Sequence, residues 1–197
     1  MKTTLLALLV VLVAACAACK SPEDPAAAPP ADATATPGTP KGEVAPTLKT
    51  VQDDIKPPPD KVPAIGERIE LPNEEWKVRL SERQFYILRE AGTERATTGA
   101  YNKHYETGVY HCSACNSPLF SSKSKFDSGT GWPSFYEAIE DGRIKTRVDD
   151  KLGVPRNEIL CAVCDGHLGH VFNDGPKPTG DRFCVNSASL YFRGGDL

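Results

Sequence analysis

The chain has 197 residues, 40% of them hydrophobic, and a formal net charge of −3 at pH 7, which suits one ordinary domain with extensions. No Lys/Arg cluster runs beside an aromatic ladder, so neither a phosphate-tracking stripe nor a base-stacking platform is present, and nucleic acid is not an expected partner. Six of the seven cysteines fall in C-x-x-C pairs, Cys16/Cys19, Cys112/Cys115 and Cys161/Cys164, and Cys184 stands alone.

In chain order, the first element is a leader. Residues 1–15, "MKTTLLALLVVLVAA", place Lys2 before an apolar run that ends in small residues, the layout of a secretory signal. The run is shorter than the roughly 18–20 residues of a membrane-spanning helix, so a retained span is the weaker alternative. "LVAAC" is similar to a bacterial lipobox, which implies cleavage before Cys16 and acylation of its thiol; Cys19 is a second candidate, and an ordinary signal cut would leave a soluble secreted protein. The expectation is a lipoprotein held at a membrane and facing the periplasm or the cell exterior.

Residues 16–65 are expected to be a disordered tether. Lys20 to Ala64 holds 11 of the 17 prolines and no aromatic residue or regular apolar period, a composition that builds no core and stays extended. Residues 66–197 are then the domain. In "LSERQFYILREAGTE", Ser81 and Gln84 form a capping box, Leu80 and Phe85 a hydrophobic staple, and Gly92 is placed to end the helix. Asn73 is placed to cap a shorter helix before it. Short β-rich runs follow, "GVYHC", "PLFSS", "RIKTRV", "EILCAVC", "HVF" and "RFCVNSASLYF", separated by Gly, Pro, Asn and Asp. The reading is a mainly β domain, a small antiparallel structure with helices on one side.

"YHCSACNSPLF" and "ILCAVCDGHLGH" each put C-x-x-C directly after a strand-like run, with 45 residues between Cys115 and Cys161. Two such knuckles supply four thiolates at tetrahedral corners, so Cys112, Cys115, Cys161 and Cys164 are expected to hold a structural zinc ion. Redox chemistry or disulfides are the alternatives, favoured by export but lacking the helix-opening βαβ setting of a thioredoxin-like dithiol.

If "RFCVNSASLYF" is a strand, Arg182, Cys184 and Asn186 share one face while Phe183 and Val185 point into the core. A guanidinium and an amide beside a thiol favour its reactive anion, although a free cysteine is also commonly a small core residue. Glycines flank His167 and His170 in "GHLGHVFND". These histidines read as proton donors near Cys184, with a second metal site or plain surface histidines as alternatives. "FDSGTGWPSF" turns sharply at Gly129, Gly131 and Pro133 and presents Trp132, either as a platform for a small apolar group or as core packing.

"CSAC", "KFDSGTGWPSF", "CAVCDGHLGHVFNDGP" and "RFCVNSASL" closely resemble, in order and spacing, the methionine-R-sulfoxide reductases, MsrB, over roughly residues 76–192. The resemblance implies two small antiparallel sheets with N-terminal helices and a Cys₄ zinc site. It implies an enzyme, a peptide-methionine (R)-S-oxide reductase, in which Cys184 attacks the sulfoxide sulfur. His167, His170, Asp174 and Asn186 would bind and protonate the oxygen, and Arg182 would favour the thiolate. Trp132 and Phe172 would hold the ε-methyl. Members often carry a resolving cysteine where this chain has Thr130, so a thioredoxin-like protein or other external thiol is the expected reductant, with resolution by Cys19 a minor route. Methionine-R-sulfoxide in proteins or peptides is the expected substrate, and a monomer the default state. A zinc-stabilised binding module and a thiol peroxidase are the competing readings.

Overall fold

The computed structural model describes residues 54–195 apart from residue 152. The expected leader, the expected acylation at Cys16 and the expected tether up to residue 53 lie outside the described residues. No helix among the described residues is long and apolar enough to cross a membrane.

Two short helices open the domain, α1 (Asn73–Arg79) and α2 (Glu82–Glu90). The capping box forms as expected: Ser81 Oγ accepts from Gln84 N, and the Gln84 side chain accepts from Ser81 N. Leu80 and Phe85 are both buried in the main core. Two expectations are corrected. Pro72 rather than Asn73 caps α1, its ring fixing the entry φ at −59°, and no side chain takes the free N–H groups of the first turn. Ala91, not Gly92, adopts the left-handed conformation that ends α2 (φ 53°, ψ 42°). Gly92 serves another need, since a Cβ there would collide with the Tyr86 ring.

Nine strands follow among the described residues: β1 (Gly108–Cys112), β2 (Pro118–Ser121), β3 (Lys125–Phe126), β4 (Ser134–Phe135), β5 (Ile144–Asp149), β6 (Arg156–Cys161), β7 (His167–Phe172), β8 (Arg182–Val185) and β9 (Leu190–Gly194). They form two antiparallel sheets, one of three strands in the order β2-β1-β9 and one of six in the order β3-β4-β8-β7-β6-β5. The expected fold class is therefore the observed one. The run 182–192 is not one strand, however. A 3₁₀ turn at Ser187–Ser189 breaks it, sending β8 to the large sheet and β9 to the small one. Ser187, Ala188 and Ser189 are buried at this crossing, where small side chains let the two sheets come together.

Residues before 66 also pack on the domain. Residues 54–65 lie extended along the domain, with Ile55, Pro58 and Pro63 buried. Extended proline-rich backbone leaves its carbonyls open, and the domain reads them: Gln84 Nε2 donates to Lys56 O at 2.9 Å, Asn116 Nδ2 to Asp60 O at 3.1 Å and Arg143 Nη1 to Pro63 O at 2.9 Å. Composition signals the extension but not these partners.

Candidate active site and metal centre

The two C-x-x-C knuckles are the same local structure used twice, each as the turn of a hairpin (β1–β2 and β6–β7). Asn116 N donates to Cys112 O at 2.9 Å, and Asp165 N to Cys161 O at 3.0 Å. Asn116 and Asp165 both sit at positive φ, 64° and 58°, a conformation Asn and Asp tolerate better than other side chains. Arg68 holds the second knuckle, donating to Ala162 O at 2.7 Å and to both Asp165 carboxylate oxygens.

The four sulfurs converge in the core. Their ligand atoms all lie within 4.8 Å of one another, and all four residues are buried. Sγ of Cys112 is 3.7 Å from Cys164, and Sγ of Cys115 is 3.6 Å from Cys161. None of the four forms a disulfide, and Zn–S bonds of about 2.3 Å set tetrahedral edges of about 3.8 Å. The cluster thus fits a tetrahedral metal ion. It ties β1 of the small sheet to β6 of the large one.

The second knuckle also sets β7, which pairs with β8 so that His170 lies opposite Cys184. Gly169 makes the close approach possible, because a Cβ there would strike the carbonyl oxygen of Cys184. Cys184 is half-buried in a cleft of about 120 Å³ lined by Thr93, Trp132, Arg156, His170, Phe172 and Asn186, among others. Burial pushes its thiol up; the Thr130 hydroxyl and then the Arg182 guanidinium pull it back, while Asp174 opposes them.

Trp132 is half-buried at the cleft wall, its Nε1 donating to Glu94 O at 3.1 Å. Arg182 lies over the Phe172 ring at 4.4 Å and forms a two-pronged pair with Asp174, at 2.7 and 2.9 Å. The two histidines take different places. His170 lines the cleft, with Nε2 at 2.8 Å from Asp149 Oδ2. That contact from His170 is the main force holding the Asp149 carboxyl well below the usual range, with Lys151 N and Arg156 adding to it. His167 is buried beside it, with Nδ1 at 2.7 Å from Glu158 Oε1, and it lines a neighbouring cavity of about 190 Å³ rather than the cleft itself. Burial pushes His167 down, and Glu158 works against that. Since carboxylates only accept, both contacting ring nitrogens carry their protons. Each opposite nitrogen donates only when the ring is an imidazolium. His167 Nε2 is buried with no protein partner.

Asn186 reaches the cleft but its amide is committed, Oδ1 accepting from Glu94 N at 3.0 Å and Nδ2 donating to Leu168 O at 3.2 Å. Glu94 is a residue sequence reasoning missed. Its buried carboxylate takes the N–H groups of Ser187 (2.5 Å) and Ala188 (3.0 Å) while its backbone holds Trp132 and Asn186. A polar "GTERATTG" loop carries no signal of that role. Asp149 and Glu158 were missed as well, although a β5–β6 hairpin puts Arg147 opposite Glu158 and Asp149 opposite Arg156, a pairing of opposite charges that could have marked them. A surface groove of about 820 Å³, lined by Asp54, Lys77, Phe85 and Glu90 among others, contains none of these residues.

A half-buried thiol in an aromatic-walled cleft, on a two-sheet scaffold joined by four buried cysteines, is the geometry of a candidate thiol site. A SelR domain matches residues 80–194, more than half of the chain, and the chain belongs to that family. Peptide methionine sulfoxide reductase MsrB of Thiobacillus denitrificans is 58% identical over 118 residues, 60% of this chain and 89% of that protein. Methionine-R-sulfoxide reductase B2, mitochondrial, of Rattus norvegicus is 50% identical over 136 residues, 66% of this chain and 78% of that protein. The chloroplastic peptide methionine sulfoxide reductase B1 of Oryza sativa subsp. japonica is 58% identical over 121 residues, 61% of this chain and 56% of that protein.

Proposed function

We propose that this protein reduces peptide-bound methionine (R)-S-oxide with Cys184 as nucleophile. The observation that carries the reading is Cys184 at the base of a small cleft between Trp132 and Phe172 with His170 opposite it. That arrangement suits one sulfur-bound methyl between the rings and the sulfoxide oxygen on the imidazole side. The Cys184 sulfur bonds to the sulfoxide sulfur, the oxygen takes a proton, and oxygen transfer leaves methionine and a Cys184 sulfenic acid. The substrate sulfur gains two electrons and the Cys184 sulfur loses two. S=O is a poor electrophile until its oxygen is protonated, so an imidazolium at His170, anchored by Asp149, is the acid the step needs.

The sulfenic acid is then reduced by two external thiols, giving their disulfide and water. Thr130 stands where a resolving thiol would be, and every other cysteine among the described residues belongs to the buried cluster. That cluster holds zinc, chosen by four-thiolate tetrahedral chemistry, and is structural because it is closed to substrate. The leader and the cysteine at its end support an enzyme anchored by lipid on Cys16 outside the cytoplasm, working on exported proteins as a monomer.

The test is reduction of dabsyl-labelled methionine sulfoxide, R and S epimers separately, with dithiothreitol, by the parent and by Cys184→Ser. R-selective turnover abolished by the substitution is expected. No turnover by folded, metal-loaded protein overturns the reading in favour of a binding module. Peroxide consumption in place of sulfoxide reduction would make it a thiol peroxidase.

A further inference from the structure

We propose that Thr130 is a catalytic residue of this site: its hydroxyl, the end of a chain of three side-chain hydroxyls, is the hydrogen-bond donor that holds the Cys184 sulfur as a thiolate. Its place in a reaction step rests on the reductase reading above; the donor geometry does not.

The chain is read from its protons. Ser134 lies opposite Cys184 in the β4–β8 pair and is fully buried. Its hydroxyl donates to Ser128 Oγ at 2.8 Å, and Ser128 Oγ also accepts from Thr130 N at 3.4 Å. Ser128 Oγ sits 2.8 Å from Thr130 Oγ1, and with its lone pairs so engaged its single proton is directed there. Thr130 Oγ1 then accepts, and its own proton is left for Cys184 Sγ at 4.0 Å. That distance is the outer limit for sulfur, and catalytic hydrogen bonds tighten when the charged species forms.

The loop is built to keep the hydroxyl there. Gly129 and Gly131 take φ of 71° and 92°, and Thr97 N donates to Gly131 O at 2.8 Å, pinning the turn. A Cβ on Gly131 would meet Thr97 N at 2.9 Å, so the approach depends on glycine. The charged and titratable groups that face Cys184 are Arg182 on its own strand with Asp174 behind it, His170 on β7 and Arg156 across the cleft. Arg182 is already paired with Asp174, so its charge is partly neutralised. Among the described residues outside β8, Thr130 is the one side chain within hydrogen-bond reach of the sulfur, and a hydroxyl chain polarised in one direction strengthens its last bond.

The test is the pH profile of Cys184 alkylation by iodoacetamide in the full-length, metal-loaded protein, the modified site located by mass spectrometry. Thr130→Val keeps the shape and removes the donor; Thr130→Ser restores it. The expected result is a profile moved to higher pH in Thr130→Val, about tenfold slower at pH 7, with Thr130→Ser close to the parent and Ser128→Ala between them. Equal metal content and circular dichroism in all four proteins identify the effect as local. A Thr130→Val profile that superimposes on the parent's overturns the proposal, as does lost sulfoxide turnover with unchanged alkylation, which would place Thr130 on the substrate. If the parent reduces no sulfoxide but Thr130→Val still shifts alkylation, the donor role stands and only the reaction class falls.

Discussion

At Cys184 the competing forces are separable. Burial raises its thiol, and it is the thiolate that reacts, so alkylation of Cys184 accelerates as pH climbs. Arg182 opposes the burial, but Asp174 engages it with two hydrogen bonds, at 2.7 and 2.9 Å, and spends part of its charge. Asp174→Asn should therefore move the alkylation profile to lower pH, by roughly half a unit or about threefold in rate at pH 7, and Arg182→Met should move it the other way. Competition alkylation followed by peptide mass spectrometry measures both. A slower Asp174→Asn reaction would mean that Asp174 serves chiefly to keep Arg182 in place. The same logic separates the two histidines: His170 shares the cleft and is tethered to Asp149, whereas His167 is packed against Glu158 one cavity away.

Among the elements, the β7–β8 pair sets His170 against Cys184, and its tightest point is Gly169 against the Cys184 carbonyl. Gly169→Ala must push the strands apart or twist β7, at about 1–3 kcal/mol, and moves His170 relative to Cys184. Urea unfolding reads the first effect; loss of turnover out of proportion to stability reads the second. The 187–189 turn is equally specific. Glu94→Ala strips two buried N–H groups of their acceptor, a loss of about 2–4 kcal/mol visible in the same urea titration. How much of this was legible varied with the kind of interaction. The α2 cap, both knuckles and most strands have short-range signatures, a side chain three residues from its partner or an alternation of two, and all of these were accessible. What escaped depends on distant chain: the strand break at residues 187–189 is set by Glu94, some 93 residues away, and the strap at residues 54–65 is held by carbonyl contacts that leave no side-chain pattern. The Ala91 left-handed cap escaped because Gly92 offered the better propensity while the Tyr86 ring claimed that position.

For the molecule as a whole, the four-cysteine cluster decides whether two thin sheets behave as one body. The small sheet has three strands and the large one six, and all four cysteines sit in the one core the sheets share. A structural zinc site contributes on the order of 10 kcal/mol, comparable with the entire net stability of about 5–15 kcal/mol of a typical domain. Removing the metal should therefore unfold the domain rather than loosen one corner. Cys112→Ser, or exhaustive chelation of the parent, is expected to lower the Tm by tens of degrees or abolish the transition. One equivalent of metal should be released to a chromogenic chelator. Cys184→Ser, outside the cluster, should keep full metal content and an unchanged Tm, so that loss of its activity is chemical. The knuckle at Cys161–Cys164 also forms the turn into β7, and for that reason activity should disappear at or below the chelator concentration that melts the fold. Activity that survived complete metal release would show that β7 and β8 hold the register of His170 on Cys184 by themselves, and that the cluster only joins the sheets.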